Sequence, residues 1–523
     1  MSTKDFFPGM SRRQFLATTA AAAVVSSLPL PLRAAQSDTG TTYTRLNLTD
    51  AGAQAMLDSY QTAITKLLAL PPTDPRNWYR NAFIHTLDCP HGNWWFLPWH
   101  RGYLGWFEQT VRSFSGNPNF AFPFWDWTAQ PYVPDAFWQG VLDPSNSAYI
   151  DSYNDFYSQF SSPMSAFWSS LTSAQVGQLQ KRGFNSVNDL WSAVQQGMFF
   201  PPAQARSLTQ TNPGFDEVTQ QAVSLPTTLA ALGPKDFVDF GSDIASYHSE
   251  AVGYGILEGQ PHNSVHVDVG GFMGDFLSPV DPIFMAHHSN IDRLWDIWTQ
   301  KQQKLGLPTL PTGSNLAPWQ NEPFLFYIDS NGNPVSQNTA GDYATISAFN
   351  YTYGAGSGQS VISPSVATAA ASVTAKRVTG ILKSADLNFS RAASARVPVA
   401  PSMLEAASSD KGPELFARVT IQPPPDPRGI RFHILVNPPE NAMSLNFDHP
   451  SYAGTFEFFG KPHHPRGPIT FTIPLKESVS SLRKVNALKT REPLKIHVVP
   501  QTRGVALRAL PKSSVTKVEV GAF

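Results

Sequence analysis

The chain has 523 residues, enough for two to four domains at about 150 residues each. Its 38 Lys and Arg balance 39 Asp and Glu to a formal charge of −1, which argues against a nucleic-acid binder and its basic excess. Only 15% of residues are charged while Pro reaches 45 and Trp 13, the opposite of a disordered composition; a single cysteine rules out an internal disulfide, a Cys-based zinc site and a sulfur-ligated iron cluster.

At the N-terminus, Ser11-Arg12-Arg13-Gln14-Phe15-Leu16 precedes a small-residue apolar run from Ala17 to Leu32, and Leu32-Arg33-Ala34 offers a cleavage site. Charged, then apolar, then small is the layout of a secretory signal, and the paired arginines before Phe-Leu resemble a twin-arginine export signal. Residues 1–34 are therefore expected to be a signal peptide read by the twin-arginine machinery, with the mature chain beginning near Ala35 in the periplasm or outside the cell. The run is too short and too broken by Ser and Pro for a membrane span of about 20 residues, and no later segment is apolar enough.

Helix-like spacing of Met56, Tyr60, Ile64, Leu67 and Leu68 predicts a helix over 51–70, stopped by Pro71-Pro72. Asp74-Pro75 reads as a cap with Pro at the first helical position, opening a second helix to about His85. Pro98 opens a third, through Trp106 to Val111, and Asp281-Pro282 opens a fourth, to about Gln303. Between them, 117–241 is rich in Pro, Ser and aromatics, with helical patches such as Ser186–Gln196. From Tyr351 to about Ala375 the chain turns to Gly, Ser, Ala and Thr and reads as a linker. Beyond it, 416–421, 432–436, 469–473 and 494–499 read as strands bounded by Pro and Gly. The expected organisation is a mainly α N-terminal domain over 35–350, a linker over 351–375, and a β-rich, sandwich-like C-terminal domain over 376–523.

Eight of the 13 histidines fall between residues 85 and 288, mostly in two clusters. One is His85, His91 and His100. The other is His262 and His266, followed by His287-His288. His262 and His266 are four apart and share one face of a helix, as two ligands of one metal require. His288, two turns inside a capped helix, can supply a third; His85, His91 and His100 can form an equivalent set from two helices and the loop between them.

Imidazole suits zinc, copper, iron and nickel. A zinc-protease reading of the H-x3-H pair fails, because Asn263 stands where that motif needs Glu. A non-haem iron triad needs a carboxylate; Asp268 is available, but the second triplet is complete without it. Two sets of three neutral imidazoles, each with an open face, fit two copper ions that bind dioxygen between them.

On these residues the sequence resembles tyrosinases and polyphenol oxidases. Asp74-Pro75-Arg76 leading to His85, then His91 to Tyr103, resembles their first copper motif; His262–His266 with Asp281–Arg293 resembles the second; Phe122-Pro123-Phe124-Trp125-Asp126-Trp127 is similar to the run after the first copper helix. The resemblance covers roughly 40–330 and implies a four-helix bundle holding two copper ions. It assigns one copper to His85, His91 and His100, the other to His262, His266 and His288, and makes His287 a neighbour. The departure is the spacing: five residues separate His85 from His91, fewer than in most relatives. The resemblance also implies a thioether between Cys89 and His91, where composition alone suggests a small buried thiol.

Metal-bound imidazoles need their other nitrogen oriented, and Asp292 or Asn290, near His288, are local candidates. By resemblance, Phe284 packs over the copper pair, Glu258 and Asn263 hold a water that deprotonates a monophenol, and Val267 borders substrate entry. The same family often places a C-terminal side chain in the site; Tyr452–Gly460 is the candidate plug here, or an ordinary edge strand with core aromatics.

The implied activity is oxidation of small phenols by O2: ortho-hydroxylation of monophenols and oxidation of o-diphenols to o-quinones. A catechol or aminophenol oxidase without monophenolase activity is the alternative within the class. A haemocyanin-like oxygen carrier is the alternative outside it, disfavoured by export and by the Glu258/Asn263 pair.

Overall fold

In the computed structural model the described residues are 41–197, 205–336, 338–363, 377–409, 412–440, 442–443, 446–461, 467–503 and 512–522. The signal expected at 1–34 lies outside them, as do His463 and His464. Among the described residues no helix is long and apolar enough to cross a membrane.

Six helices build the first half of the helical domain: α1 (Ala53–Leu68), α2 (Trp78–Asp88), α3 (Phe96–Ser115), α4 (Tyr153–Ser169), α5 (Ser173–Arg182) and α6 (Val187–Gly197). The short α7 (Asn263–Val269) and the long α8 (Ile283–Leu305) follow. The cap expected at Asp74 is displaced. Asp74 is held by Arg76, and Asn77 accepts from the Tyr79 and Arg80 amides instead, so α2 starts at Trp78 and runs past His85 to Asp88. Asp281 does accept from the Ile283 amide at 3.1 Å, but its carboxylate is also gripped by the buried Arg206. The section over 117–241 carries α4 to α6, whose Phe156, Phe160 and Trp191 pack on Tyr79 and Phe83 of α2.

A buried charge network fastens the far end. Arg45 binds Glu108 through two bonds of 2.8 and 2.9 Å and Asp292 at 2.9 Å; Arg101 binds the other Asp292 oxygen at 2.7 Å. The Tyr351 and Tyr353 hydroxyls donate to the same carboxylate. These tyrosines belong to β3 (Tyr351–Tyr353), which pairs in parallel with β1 (Tyr43–Arg45). The stretch expected as a linker from 351 therefore begins as part of the helical domain. Gly356 packs against Arg293, and 364–376 lie outside the described residues.

Among the described residues the C-terminal region is two five-stranded sheets whose facing aliphatics and phenylalanines form a second core. One runs β5 (Ile381–Ser384), β6 (Ala393–Val397), β11 (Leu494–Thr502), β8 (Ile430–Val436), β9 (Tyr452–Glu457). In the other, β10 (Ile469–Pro474), β7 (Leu415–Gln422), β12 (Ser514–Ala522) and β4 (Val378–Thr379) follow β2 (Gly253–Tyr254). The four strands expected from the sequence are β7, β8, β10 and β11. The unexpected member is β2, which comes from the helical domain just before Glu258 and pairs in parallel with β10. Tyr254 stacks on Phe471 at 4.7 Å. The two regions thus share a sheet.

Charge reinforces the seam in one direction. Arg377, Arg418, Arg428, Arg431 and Arg503 of the β region meet Asp239, Asp243, Asp275, Asp216 and Asp268 of the helical domain.

Candidate metal centre

Each ligand candidate comes from a separate local device. His85 sits near the end of α2, His91 on the loop behind it, and His100 in the second turn of α3. Glu258–His262 forms a π-helical turn that feeds α7, so His262 and His266 project side by side; π-turns of this kind concentrate at functional sites. His288 lies in the second turn of α8. All six are buried, between 0% and 7% exposed.

Most of the outer nitrogens are anchored. His85 Nδ1 donates to the Phe276 carbonyl, His100 Nδ1 to the Phe96 carbonyl and His266 Nδ1 to the Met273 carbonyl, each at 2.7 Å. His262 Nδ1 donates to Asn263 Oδ1 at 2.9 Å. A proton on Nδ1 leaves the Nε2 lone pair pointing inward. The inner nitrogens then crowd one another: His266 and His288 Nε2 are 3.1 Å apart, His85 and His100 Nε2 3.5 Å. His91 and His262 Nε2 are buried without a partner among the described residues. The triads face each other, His100 stacking on His288 at 4.3 Å and His91 on His262 at 5.5 Å. Burial pushes His85 and His262 down to about 3 and holds the other four well below the ordinary histidine value, with repulsion from neighbouring imidazoles adding to it. Converging neutral lone pairs with no proton between them are a donor set for cations, and all-imidazole sets suit copper.

His287 also offers a nitrogen within 4.8 Å of His262, His266 and His288. Its Nδ1 accepts from Trp127 Nε1 at 3.1 Å, which puts the proton on Nε2 and leaves that nitrogen no lone pair for a metal. His288 Nδ1 has no partner among the described residues. The expectation that Asp292 or Asn290 would orient it is corrected. Asp292 is taken by Arg45, Arg101, Tyr351 and Tyr353, and Asn290 Oδ1 accepts from Arg293. Charge-assisted bonds to buried guanidiniums outcompete a neutral imidazole.

Phe284 touches both triads, its ring 4.1 Å from His288 and 5.1 Å from His85. Val267, by contrast with the buried rest of α7, is partly exposed. Cys89 Sγ lies 3.4 Å from His91 Nδ1, and burial pushes its thiol up to about 12. Glu258 accepts from the Gly92 amide at 2.7 Å and the Ser242 hydroxyl at 2.6 Å, so in this state it ties down the loop carrying His91. Burial raises it to about 8 against the pull of those two donors. Asn263 Nδ2 donates to the Glu457 carbonyl at 3.0 Å.

That last bond comes from the end of β9. Two residues on, Phe459 places its ring 4.3 Å from His266, 4.8 Å from His91, 5.8 Å from His262 and 6.1 Å from His85. Both readings of 452–460 hold in part: Tyr452–Glu457 is a strand, with Phe456 and Phe458 in the β core, and Phe459 leaves it for the histidines.

Two positioning groups had no sequence signal. His248 is buried between Asp88 and Glu322, at 3.0 and 2.7 Å; burial opposes its charge, but the two carboxylates outweigh it and hold it up at about 9. Arg182 of α5 reaches Cys89. Both lie in stretches without periodicity and act through long-range contacts.

A family model described as the common central domain of tyrosinase matches residues 71–301. A chloroplastic polyphenol oxidase of Malus domestica is 29% identical over 302 residues, covering 53% of this chain and 43% of that protein. A tyrosinase of a Hahella strain is 28% identical over 331 residues, covering 57% and 60%. The alignments thus span between about two fifths and three fifths of these curated relatives. The solved structure of a recombinantly expressed latent aurone synthase (polyphenol oxidase) superposes with a TM-score of 0.60 at 20% identity, over 95% of this chain and 93% of that one, and so shares its fold. The converging imidazoles thus lie in a segment, 71–301, that matches the common central domain of tyrosinase, and proteins of that family carry a type 3 pair of copper ions that this donor set fits.

Proposed function

We propose that this chain is an exported phenol oxidase, with α2, α3, α7 and α8 acting as the bundle around its copper pair. His85, His91 and His100 would hold one ion and His262, His266 and His288 the other. When bound, the pair supplies the redox chemistry that spends O2 on the phenol. The substrate is a small phenol, and the products are o-diphenols and o-quinones.

The observation that carries this reading is Phe459. A benzene ring already lies within 4.3–6.1 Å of four ligand rings, next to Phe276 at 5.2 Å. The space therefore takes one aromatic ring, and a phenol would lie there once the segment after β9 withdraws. Phe284 and Phe276 keep water out and guide the ring. Val267 at the rim carries no charge to steer an acidic substrate.

A monophenol, with a pKa near ~10, must also lose a proton at neutral pH. Glu258 is the acceptor in this reading, acting through a water it would hold together with Asn263. Withdrawal of β9 would also free the Asn263 amide from Glu457, leaving it able to hold a water beside His262. The diphenol-only alternative has its own support: in the covered state Glu258 is engaged by Gly92 and Ser242, and Asn263 by His262 and Glu457.

The test is oxygen uptake by copper-loaded full-length chain, before and after limited proteolysis in the Ala/Ser/Thr-rich stretch 364–376, with a monophenol and an o-diphenol. Uptake with both after cleavage supports the proposal. Uptake with the diphenol alone would replace it by the narrower oxidase. Reversible oxygen binding without uptake would replace it by a carrier.

A further inference from the structure

Arg182 is the last residue of α5, 3% exposed, and makes no ion pair among the described residues. A buried guanidinium without a carboxylate is costly and calls for a reason. Both of its recorded bonds go to one residue: Nη1 donates to the Cys89 carbonyl at 2.7 Å and Nη2 to Cys89 Sγ at 3.1 Å. Its Nε–H has no partner among the described residues. The guanidinium also lies 5.7 Å from the Phe276 ring, whose backbone carbonyl anchors His85.

Cys89 ends α2 in an extended conformation, two residues before His91. A cysteine side chain has three staggered rotamers, and in the one adopted the sulfur meets both Arg182 and the His91 ring. A planar fork that grips oxygen and sulfur of the same residue selects that rotamer and holds it. The sulfur then faces the Nδ1 edge of His91 at 3.4 Å. Of the carbons flanking Nδ1, only Cε1 bears a hydrogen. His91 is also the one member of its triad whose Nδ1 meets no carbonyl, so its orientation depends on the sulfur.

We infer that Arg182 is the positioning residue for a covalent link between Cys89 Sγ and His91 Cε1. This rests on the copper reading above. Forming the S–C bond breaks one S–H and one C–H bond and releases two protons and two electrons. Dioxygen, the oxidant of the proposed activity, takes both and leaves as hydrogen peroxide. The fork supplies geometry: reacting atoms held in contact gain orders of magnitude in rate, and slack of about 1 Å loses on the order of 10²-fold.

The experiment is peptide mass spectrometry on full-length chain, purified without metal and then loaded with copper in air. The wild-type peptide spanning Cys89 and His91 is expected to lose two hydrogens on loading, and its thiol, tested after denaturation, to stop reacting with iodoacetamide. R182Q, which keeps bulk and some hydrogen bonding but not the fork, is expected to bind the same amount of copper and cross-link more than about tenfold more slowly. R182K keeps the buried charge and one bond; it guards against R182Q failing to fold and is expected to fall between the two. Cross-linking of either variant at the wild-type rate would overturn the role of Arg182. Wild-type chain that binds copper but keeps a free thiol would overturn the link itself. Failure of the wild type to bind copper would instead overturn the reading on which the inference rests.

Discussion

The two triads reach similar geometries by different means. The second is local: a π-turn, one helical turn and one capped helix bring His262, His266 and His288 together, with anchors on Asn263 and Met273 nearby in sequence. The first is assembled from a distance. Its loop is clamped by Glu258 and by the Val252 and Gly253 amides on the Gly92 carbonyl, and its helix end by His248. Its sulfur is held by Arg182. Gly92 itself has φ +66° and sits against the Tyr254 ring, where a Cβ would come within 3.0 Å. The short spacing from His85 to His91 thus leaves a loop that residues from 182 to 258 must hold in place.

The strongest way to break this contrast is to remove its remote clamp. H248Q leaves Asp88 and Glu322 without their cation; breaking a buried pair by deleting one partner costs about 3–5 kcal/mol. The variant is expected to melt lower and, under a chelator, to lose the copper of the first triad well before the second. Equal loss from both would show that the clamp does not favour one site.

Titration probes the same clamp. His248 is held at about 9, above its unfolded value near ~6.5, so its contribution is complete below ~6.5 and lost as pH rises through about 9. Glu258, raised to about 8, also binds its proton more tightly folded than unfolded, so its burial weakens the fold as pH rises from ~4.5 to about 8. In metal-free chain the six buried neutral imidazoles make stability rise from pH 5 to ~6.5, so the clamp is read as a difference: wild type is expected to exceed H248Q most below ~6.5 in thermal melts, and the gap to shrink as pH rises through about 9. A gap that does not change with pH would contradict the assignment.

Glu258→Gln separates clamp from chemistry. If the carboxylate takes the phenol proton, monophenol turnover drops by ~10²–10⁴-fold while o-diphenol turnover holds. Parallel loss of both would leave Glu258 a loop clamp only. The smallest expected effect is R428A at the seam, where a partly exposed bond to Asp275 is worth about 0.2–1 kcal/mol. It should raise the basal activity of uncleaved enzyme a few-fold at most, through looser seating of Phe459.

How much was readable follows the same divide. The convergence of His262, His266 and His288 was legible because the first two sit at helical spacing and the third follows Asp281-Pro282, and the main strands because their apolar runs end at Pro and Gly. In the first triad the histidines were legible but their support was not. Arg182 and His248 lie in 117–250, where no periodicity marks a role, and a single cation becomes meaningful only when folding brings Cys89 or Asp88 to it. Asp292 misled because i+4 spacing from His288 is necessary for a bond but cannot compete with two buried arginines. At Tyr452–Gly460 the edge-strand reading holds up to Glu457; nothing local says that Phe459 leaves the β core for the helical one.

The most direct test is anomalous diffraction at the copper edge from crystals of copper-loaded full-length chain. Two peaks are expected, one among the Nε2 atoms of His85, His91 and His100 and one among those of His262, His266 and His288, with Phe459 beside them. A single peak, or a second one bound through His287, would contradict this assignment.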